Sequence, residues 1–172
     1  GELWGGKDWA DRPPSEGDID DWKFATPKEP GTVMEYNDVR VNVLAYSLTH
    51  LWRKPMPMVL KEKIMDKIGA STTWRWYGYD YAWTEIDGLQ MKSVTGGGHS
   101  GAGIFINAED MARFGLLFLN DGKWKNEQLI SNTWIKKATT PSTPNPNYGY
   151  MWWLNKKGDL LCCWFWRQFY SY

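Results

Sequence analysis

Metal-binding side chains are scarce in this sequence. Its 172 residues include two histidines, His50 and His99, which lie far apart, and two cysteines, Cys162 and Cys163, which are adjacent. Zinc sites are built from several cysteine and histidine ligands at short, defined spacings, and no Cys-x-x-Cys pair is present. The sequence therefore argues against a zinc hydrolase.

An excess of charge and a long apolar run are also absent. Lysine plus arginine number 20, aspartate plus glutamate also number 20, and the formal net charge is zero. Because no basic face is available to attract phosphates, nucleic acid is not an expected partner. No apolar run approaches the roughly 18 residues that a membrane-spanning helix needs, so no membrane segment is predicted.

Tryptophan, by contrast, is abundant, with 13 residues. One explanation is a well-filled core with aromatic-lined loops, and another is a platform on which sugars stack. The tryptophans are scattered through every segment and do not recur at a strand or repeat period. This scatter favours the first explanation and leaves an aromatic-rich carbohydrate-binding module as an alternative function.

The first half of the chain predicts two helices. Residues 1–33 are rich in Pro, Gly, Asp and Glu and predict a loop region with one helical turn near 19–24. Asp38 lies where a helix N-cap belongs, prolines at 55 and 57 stop this helix, and a second helix runs to Gly69. Helical spacing predicts the inner face of the first helix as Val39, Val43, Leu44, Ser47, Leu48, Leu51 and Trp52. That of the second is predicted as Met58, Leu60, Ile64, Met65 and Ile68.

The second half predicts strands and two further helices. The aromatic segment 73–89 favours strands with a turn at Asp87-Gly88, and a glycine-rich loop, 95–103, follows. Asn107 and Ser131 are placed to cap helices, with a small hairpin at 124–129 between them and a strand at 148–154. The first of these helices should end at Asp121-Gly122 and turn inward Met111, Phe114, Leu117 and Phe118.

Several segments resemble one enzyme superfamily in the same order along the chain. Tyr36-Asn37-Asp38 and the helix after it resemble the Tyr-x-Asn motif of the serine β-lactamase and penicillin-binding-protein superfamily, in particular its class C-like branch. The glycines at 96–98 and the run 106–117 resemble that branch's glycine loop and Asp-x-Ala-Arg-Phe-Gly helix. Segments 122–124, 128–131 and 148–153 continue the pattern. The resemblance covers roughly residues 35–158.

This resemblance implies a fold and a class of reaction. The implied fold is α+β and β-lactamase/transpeptidase-like: an antiparallel sheet flanked by helices plus an all-helical region. Residues 1–172 would form the C-terminal portion of one such domain, so the fold would be incomplete in this chain. The implied substrates are small esters, amides or D-amino peptides, cleaved through an acyl-enzyme without a metal or organic cofactor.

Tyr36 is the candidate catalytic residue. In the family, a Ser-x-x-Lys motif supplies the nucleophile and a lysine, and the tyrosine holds or relays the serine proton. A serine hydroxyl is a poor nucleophile until a neighbouring base accepts its proton, and a tyrosine pKa near 10 falls only beside positive charge. The resemblance therefore makes Tyr36 the general base; the alternative is a loop tyrosine that packs its ring.

Asp38 and His99 are candidate substrate-binding residues. Asp38 stands where the family has asparagine, and an ionised carboxylate accepts hydrogen bonds but cannot donate them. It could instead pair with the lysine of the motif or cap the helix. His99 lies in the glycine-rich loop and could border a cleft or simply face solvent. Ser100 lacks the spacing of a Gly-x-Ser-x-Gly nucleophile elbow and is rejected as the nucleophile.

Two features of the family are missing from the sequence. No serine is followed by lysine three positions later, so the motif is expected upstream and the chain alone is expected to be inactive. A catalytically inactive, binding-only relative is therefore an alternative. The run 160–172 is aromatic without alternation where the family has small residues and glycine. Because cysteine and tryptophan codons both begin TG, a one-base shift would restore such residues, so a frameshifted tail is our hypothesis and a genuine hydrophobic tail the alternative.

Overall fold

The computed structural model describes residues 3–4, 7–8, 29–34, 38–96, 103–155 and 160–161. The chain divides into two compact units. The first comprises Gly1–Glu29, Glu35–Val59 and Arg75–Phe105, and the second comprises Pro30–Met34, Leu60–Trp74 and Ile106–Tyr172.

Short helices and two-stranded antiparallel sheets make up both units, which agrees with the α+β class expected from the sequence. The helices are α1 Asp38–Trp52, α2 Met56–Leu60 with a π-helical segment at Lys61–Met65 after it, α3 Ala108–Leu119 and α4 Asn132–Ala138. The strands are β1 Leu3–Trp4, β2 Lys7–Asp8, β3 Arg75–Tyr77, β4 Trp83–Ile86, β5 Leu89–Lys92, β6 Gly103–Phe105, β7 Lys123–Trp124, β8 Glu127–Gln128, β9 Trp153–Leu154 and β10 Leu160–Leu161. The pairs are β1–β2, β3–β6, β4–β5, β7–β8 and β9–β10. Among the described residues, no helix has both the length and the hydrophobicity needed to span a bilayer.

Helix α1 forms where it was predicted, but of the described residues of its predicted inner face only Leu48 packs against the core. The helix begins at Asp38, and the capping role considered for its side chain lies outside the described residues. Its buried residues are Ala45 and Thr49, with Leu48 half-buried beside them, whereas Leu44 and Leu51 are exposed. The helix carries two apolar stripes, and helical periodicity alone does not say which of them meets the core.

The core of the first unit joins α1 to the segment after β5. It consists of four buried residues, Ala45, Met56, Val59 and Val94, with Leu48 and Trp76 packed against them. The hairpin β4–β5 turns at Asp87-Gly88 as predicted, with φ angles of 57° and 74° that suit a tight hairpin turn. Arg53 donates from Nε to Asp87 Oδ2 at 2.7 Å and so ties the end of α1 to this turn.

The core of the second unit centres on Leu117, which is fully buried. Its other buried members are Ile64, Met65 and Ile68, and the half-buried residues around them include Trp74 and Trp124. The predicted inner face of the second helix is thus confirmed for Ile64, Met65 and Ile68, but Met58 is exposed. Gly69 ends this segment with a φ of 70°, the left-handed conformation predicted for it.

The predicted helix caps and the small hairpin are confirmed. The side chains of Asn107 and Ser131 accept hydrogen bonds from the backbone N–H groups of Asp110 and Trp134, at 2.8 and 3.2 Å. Strands β7 and β8 form the hairpin. The predicted strand at 148–154 is shorter than expected, because only β9 forms and Tyr148 makes an isolated bridge to Trp153.

The buried carboxylate of Asp110 connects α3 to the segment before β3. Its two oxygens accept hydrogen bonds from four donors: Ser71 N at 2.9 Å, Ser71 Oγ at 2.5 Å, Asn107 Nδ2 at 2.9 Å and Arg113 Nη1 at 3.0 Å. Burial raises the pKa of the Asp110 carboxyl, but the hydrogen bonds from Ser71, Arg113 and Asn107 outweigh burial, and the pKa lies below its ordinary value. The carboxylate is therefore a structural anchor of the second unit.

We expect Asp110→Asn to lower the free energy of unfolding by about 3 kcal/mol or more, because an amide turns N–H groups toward donors that need an acceptor. Because the pKa of Asp110 is lower in the folded than in the unfolded protein, its ionised carboxylate contributes its full stabilisation at pH values above the unfolded-state pKa, near 4. This stabilisation is lost as the pH falls through the folded-state pKa. The difference between the two proteins should therefore shrink below about pH 4. Urea unfolding followed by tryptophan fluorescence measures both quantities.

Glu109→Gln is the matched control for this prediction. Glu109 is exposed and pairs with the same arginine, Arg113, at 2.6 Å, so its loss should cost less than about 1 kcal/mol. Equal losses in the two variants would contradict the anchoring role of Asp110.

Candidate functional site

The candidate site residue Asp38 belongs to the first unit. Tyr36 and His99 lie outside the described residues. Asp38 is the first residue of α1, and the structure describes its backbone but not its side chain. The described residues next to these positions are the first turns of α1 and residues 93–96. Residues 93–96 lead into the glycine-rich loop and are called here the anchor segment.

Hydrogen bonds and packing hold the anchor segment over its whole length. Ser93 donates its N–H to Ala82 O at 2.8 Å, and Val94 belongs to the core of the unit. Thr95 is only 1% exposed, its N–H donates to Tyr77 O at 3.3 Å, and its carbonyl accepts from Trp76 Nε1 at 2.9 Å. The glycine-rich loop therefore starts from a rigid base.

Glycine is required at two close approaches of this segment. A Cβ on Gly78 would lie 1.8 Å from the carbonyl oxygen of Ser93. A Cβ on Gly96 would lie 2.0 Å from Val41 Cγ1 and 3.0 Å from Val41 O. Because no side chain fits at either position, Gly78 allows the backbone around it to approach Ser93, and Gly96 allows the end of the segment to rest directly on α1.

One hydrogen bond joins the two motifs that the sequence separates. The N–H of Gly96 donates to Asn42 Oδ1 at 3.0 Å, a contact between residues 54 positions apart. Asp38 is four residues before Asn42, so the two positions share one side of α1, one turn apart. The start of the glycine-rich loop thus lies beside the first turns of the helix that the tyrosine motif opens.

Asn42 and Thr95 are the contributors that the sequence interpretation missed. Asn42 interrupts an apolar run between Val41 and Val43, and a polar residue at such a place in a helix is a signal that it has a partner. Thr95 carried no comparable signal, because a threonine beside glycines is typical of an exposed loop.

A second polar cluster lies farther along α1. Thr84 Oγ1 is 3.4 Å from Tyr46 Oη and 3.3 Å from His50 Nε2, and the Tyr46 and His50 rings meet edge-on with centroids 4.5 Å apart. These contacts link the β4–β5 hairpin to α1. Because Tyr46 and His50 are exposed, the cluster forms no enclosed site.

Solved structures with a similar fold exist, although sequence matches do not. No protein-family model matches the chain, and no curated protein matches it. The chain is similar to a Bacillus anthracis protein described as a 6-aminohexanoate-dimer hydrolase, with a TM-score of 0.56 and 23% sequence identity. It is also similar to a penicillin-binding protein from Bacillus halodurans, with a TM-score of 0.51 and 19% identity.

These likenesses show the fold, which is that of β-lactamase/transpeptidase-type proteins. The matches cover 79% and 76% of this chain but only 34% and 43% of the two solved chains. The chain therefore spans less than half the length of either structure.

We expect Gly78→Ala to lower the free energy of unfolding by about 1–3 kcal/mol, because the new methyl group would force backbone apart at Ser93. Gly115→Ala is the matched control. Gly115 lies within α3, and no atom lies within 4 Å of the place that a Cβ would occupy, so the same substitution there should stabilise the chain by about 0.5–1 kcal/mol. Thermal unfolding of both variants tests the opposite signs, and stabilisation by Gly78→Ala would contradict the close approach.

Proposed function

We propose that this chain is the C-terminal portion of a class C-like serine hydrolase of the β-lactamase and penicillin-binding-protein superfamily. The substrates proposed for the whole enzyme are small esters, amides or D-amino peptides, cleaved through an acyl-enzyme. The observation that carries the proposal is the Gly96–Asn42 hydrogen bond, which brings the glycine-rich loop to the helix of the tyrosine motif. The fold shared with the two solved structures supports it.

The proposed reaction divides its groups between this chain and a preceding segment. The preceding segment would supply the Ser-x-x-Lys motif, which these 172 residues lack. The serine oxygen attacks the substrate carbonyl while Tyr36, held near the lysine, accepts the serine proton and passes it to the leaving group. Water then releases the acyl group from the serine. Without the serine and the lysine, the chain by itself has no acylation step.

Asp38 and His99 are proposed as substrate-binding residues of the same site. Asp38 begins α1, where the positive end of the helix dipole favours an ionised carboxylate. Such a group accepts hydrogen bonds from a substrate N–H or ammonium group and cannot donate to a carbonyl. His99 follows Gly96 by three residues and is a second group by which a substrate could be held.

A binding-only relative is the second candidate function. Asp38 favours it, because the family's asparagine can donate an amide hydrogen and a carboxylate cannot. Sugar binding has weaker support, since Trp74 and Trp124 pack on the second core and Trp76 donates to the anchor segment.

The outward face of α1 supports the proposal that the chain is part of a larger fold. Val43, Leu44 and Leu51 share one side of the helix and are exposed, Leu51 by 76%. In a longer polypeptide, a preceding segment could cover this face. The sequence pattern identified the same residues as a buried face, which is the pattern expected of a helix covered on two sides.

The test of the catalytic role is Tyr36→Phe in the polypeptide extended upstream. We expect the wild-type extended protein to hydrolyse nitrocefin or p-nitrophenyl esters and to react with a fluorophosphonate. The variant should lose about 10²–10⁴-fold in kcat, because the serine proton then has no acceptor. Tyr81→Phe is the matched control, since Tyr81 is 98% exposed and should tolerate the change.

Two results would overturn the catalytic proposal. One is an upstream reading frame without a Ser-x-x-Lys motif. The other is full turnover by Tyr36→Phe in the extended protein. Binding of a β-lactam or a D-amino peptide without turnover would favour the binding-only relative.

The exposed face of α1 gives a prediction for the isolated chain. Expressed alone, the 172-residue chain should be poorly soluble, because a contiguous apolar face promotes association. The double substitution Leu44→Gln and Leu51→Gln should raise its soluble fraction several-fold, whereas Leu89→Gln, at the exposed first residue of β5, should not. Sedimentation and size-exclusion chromatography measure this, and a monomeric, soluble wild-type chain would contradict it.

A further inference from the structure

We propose that Asn42 is a positioning residue of the hydrolase site, holding the start of the glycine-rich loop in register with the Tyr36 motif. The inference rests on the proposed function and deepens it by giving a role to a residue to which the sequence analysis assigned none. Asn42 contacts no reacting group in this proposal and acts only through Gly96.

The partner of Asn42 lies outside α1, unlike the partners of Ser47 and Thr49. Ser47 and Thr49 donate to carbonyls of their own helix, Val43 O at 2.8 Å and Ala45 O at 2.9 Å. Asn42 instead accepts from a backbone group 54 positions away. The half-buried side-chain amide of Asn42 thus makes a long-range hydrogen bond in place of the local bond to its own helix that such side chains often form.

The contact is confined on both sides, so its geometry is specific. Val94, two residues before Gly96, and Ala45, three residues after Asn42, are members of the same core cluster. Val41 fills the space that a side chain on residue 96 would need. The backbone at Gly96 can therefore move away from α1 only by giving up the hydrogen bond to Asn42.

A shift at this point would change the distance between two parts of the proposed site. Tyr36 is two residues before α1, and the glycine-rich loop continues directly from Gly96. Displacing a reacting or positioning group by about 1 Å can cost on the order of 10²-fold in rate. Loss of the hydrogen bond should thus lower kcat most, with a smaller rise in KM from the shift of His99, which belongs to the same loop.

Hydrogen exchange tests the contact in the 172-residue chain itself, independently of any activity. Mass spectrometry at micromolar concentration should show exchange of the Gly96 amide rising about 10-fold or more in Asn42→Ala. Asn42→Asp should keep the protection, because a carboxylate accepts the same hydrogen bond. Thr49→Val, which removes a bond within the helix, should leave Gly96 unchanged. Equal exchange in wild type and Asn42→Ala overturns the inference.

Kinetics in the extended polypeptide test the consequence. Asn42→Ala should lower kcat about 10–100-fold with a smaller rise in KM, and Asn42→Asp should restore part of the lost kcat. Thr49→Val should lower the melting temperature without changing kcat. An extended wild type that is active, with an equally active Asn42→Ala, overturns the positioning role alone. A soluble, folded extended wild type without turnover overturns the proposed function and the positioning role together.

Discussion

The close approach of the anchor segment to α1 is the constraint on which the candidate site depends. Residues 93–96 can rest on the helix because Gly78 and Gly96 have no Cβ at the two points where backbone meets its neighbour. Packing of Val94 supplies the attraction, and the hydrogen bond from Gly96 to Asn42 supplies the register. Apolar contacts are non-directional, so burial of Val94 alone would leave the segment free to slide. The hydrogen bonds from Ser93 to Ala82 O and from Thr95 to Tyr77 O fix the segment along its length, and the bond from Gly96 to Asn42 fixes its end against α1.

In the second unit, a charged side chain holds α3 to the segment before β3. Asp110 lies in the first turn of α3, where an ionised carboxylate is favoured by the helix dipole, and it accepts hydrogen bonds from Ser71 and Asn107. Four donors satisfy a buried group that would otherwise be costly. The two units therefore fix their connecting segments by different means: Asn42 with a neutral amide at a half-buried place, and Asp110 with a fully buried carboxylate.

Local signals predicted the elements well and their buried faces only in part. The caps Asn107 and Ser131, the Asp87-Gly88 turn and the end at Gly69 each depend on short-range chemistry, and each is confirmed. The inner face of α1 was predicted only in part, because two apolar stripes compete and only tertiary contacts choose between them. Asp110 was recognised as part of a motif, yet its hydrogen-bond partner Ser71 lies 39 positions earlier and was not predicted.

The candidate site shows the same division between short-range and long-range information. Tyr36, Asp38 and His99 were predicted from motif order, and they remain predictions because their side chains lie outside the described part of the chain. The contact that joins their motifs could not be predicted from order, since Asn42 and Gly96 are 54 positions apart. Sequence alone shows that Asn42 is polar in an apolar run, but not which group it meets.

A carboxylate at position 38 has a consequence for the proposed proton transfer. Residues 36 and 38 are close along the chain, and a nearby negative charge makes a phenol proton harder to remove. The proposed hydrolase would therefore depend on its lysine more strongly than a relative with asparagine at this position. If that lysine is absent from the complete polypeptide, the carboxylate of Asp38 favours the binding-only relative over the hydrolase.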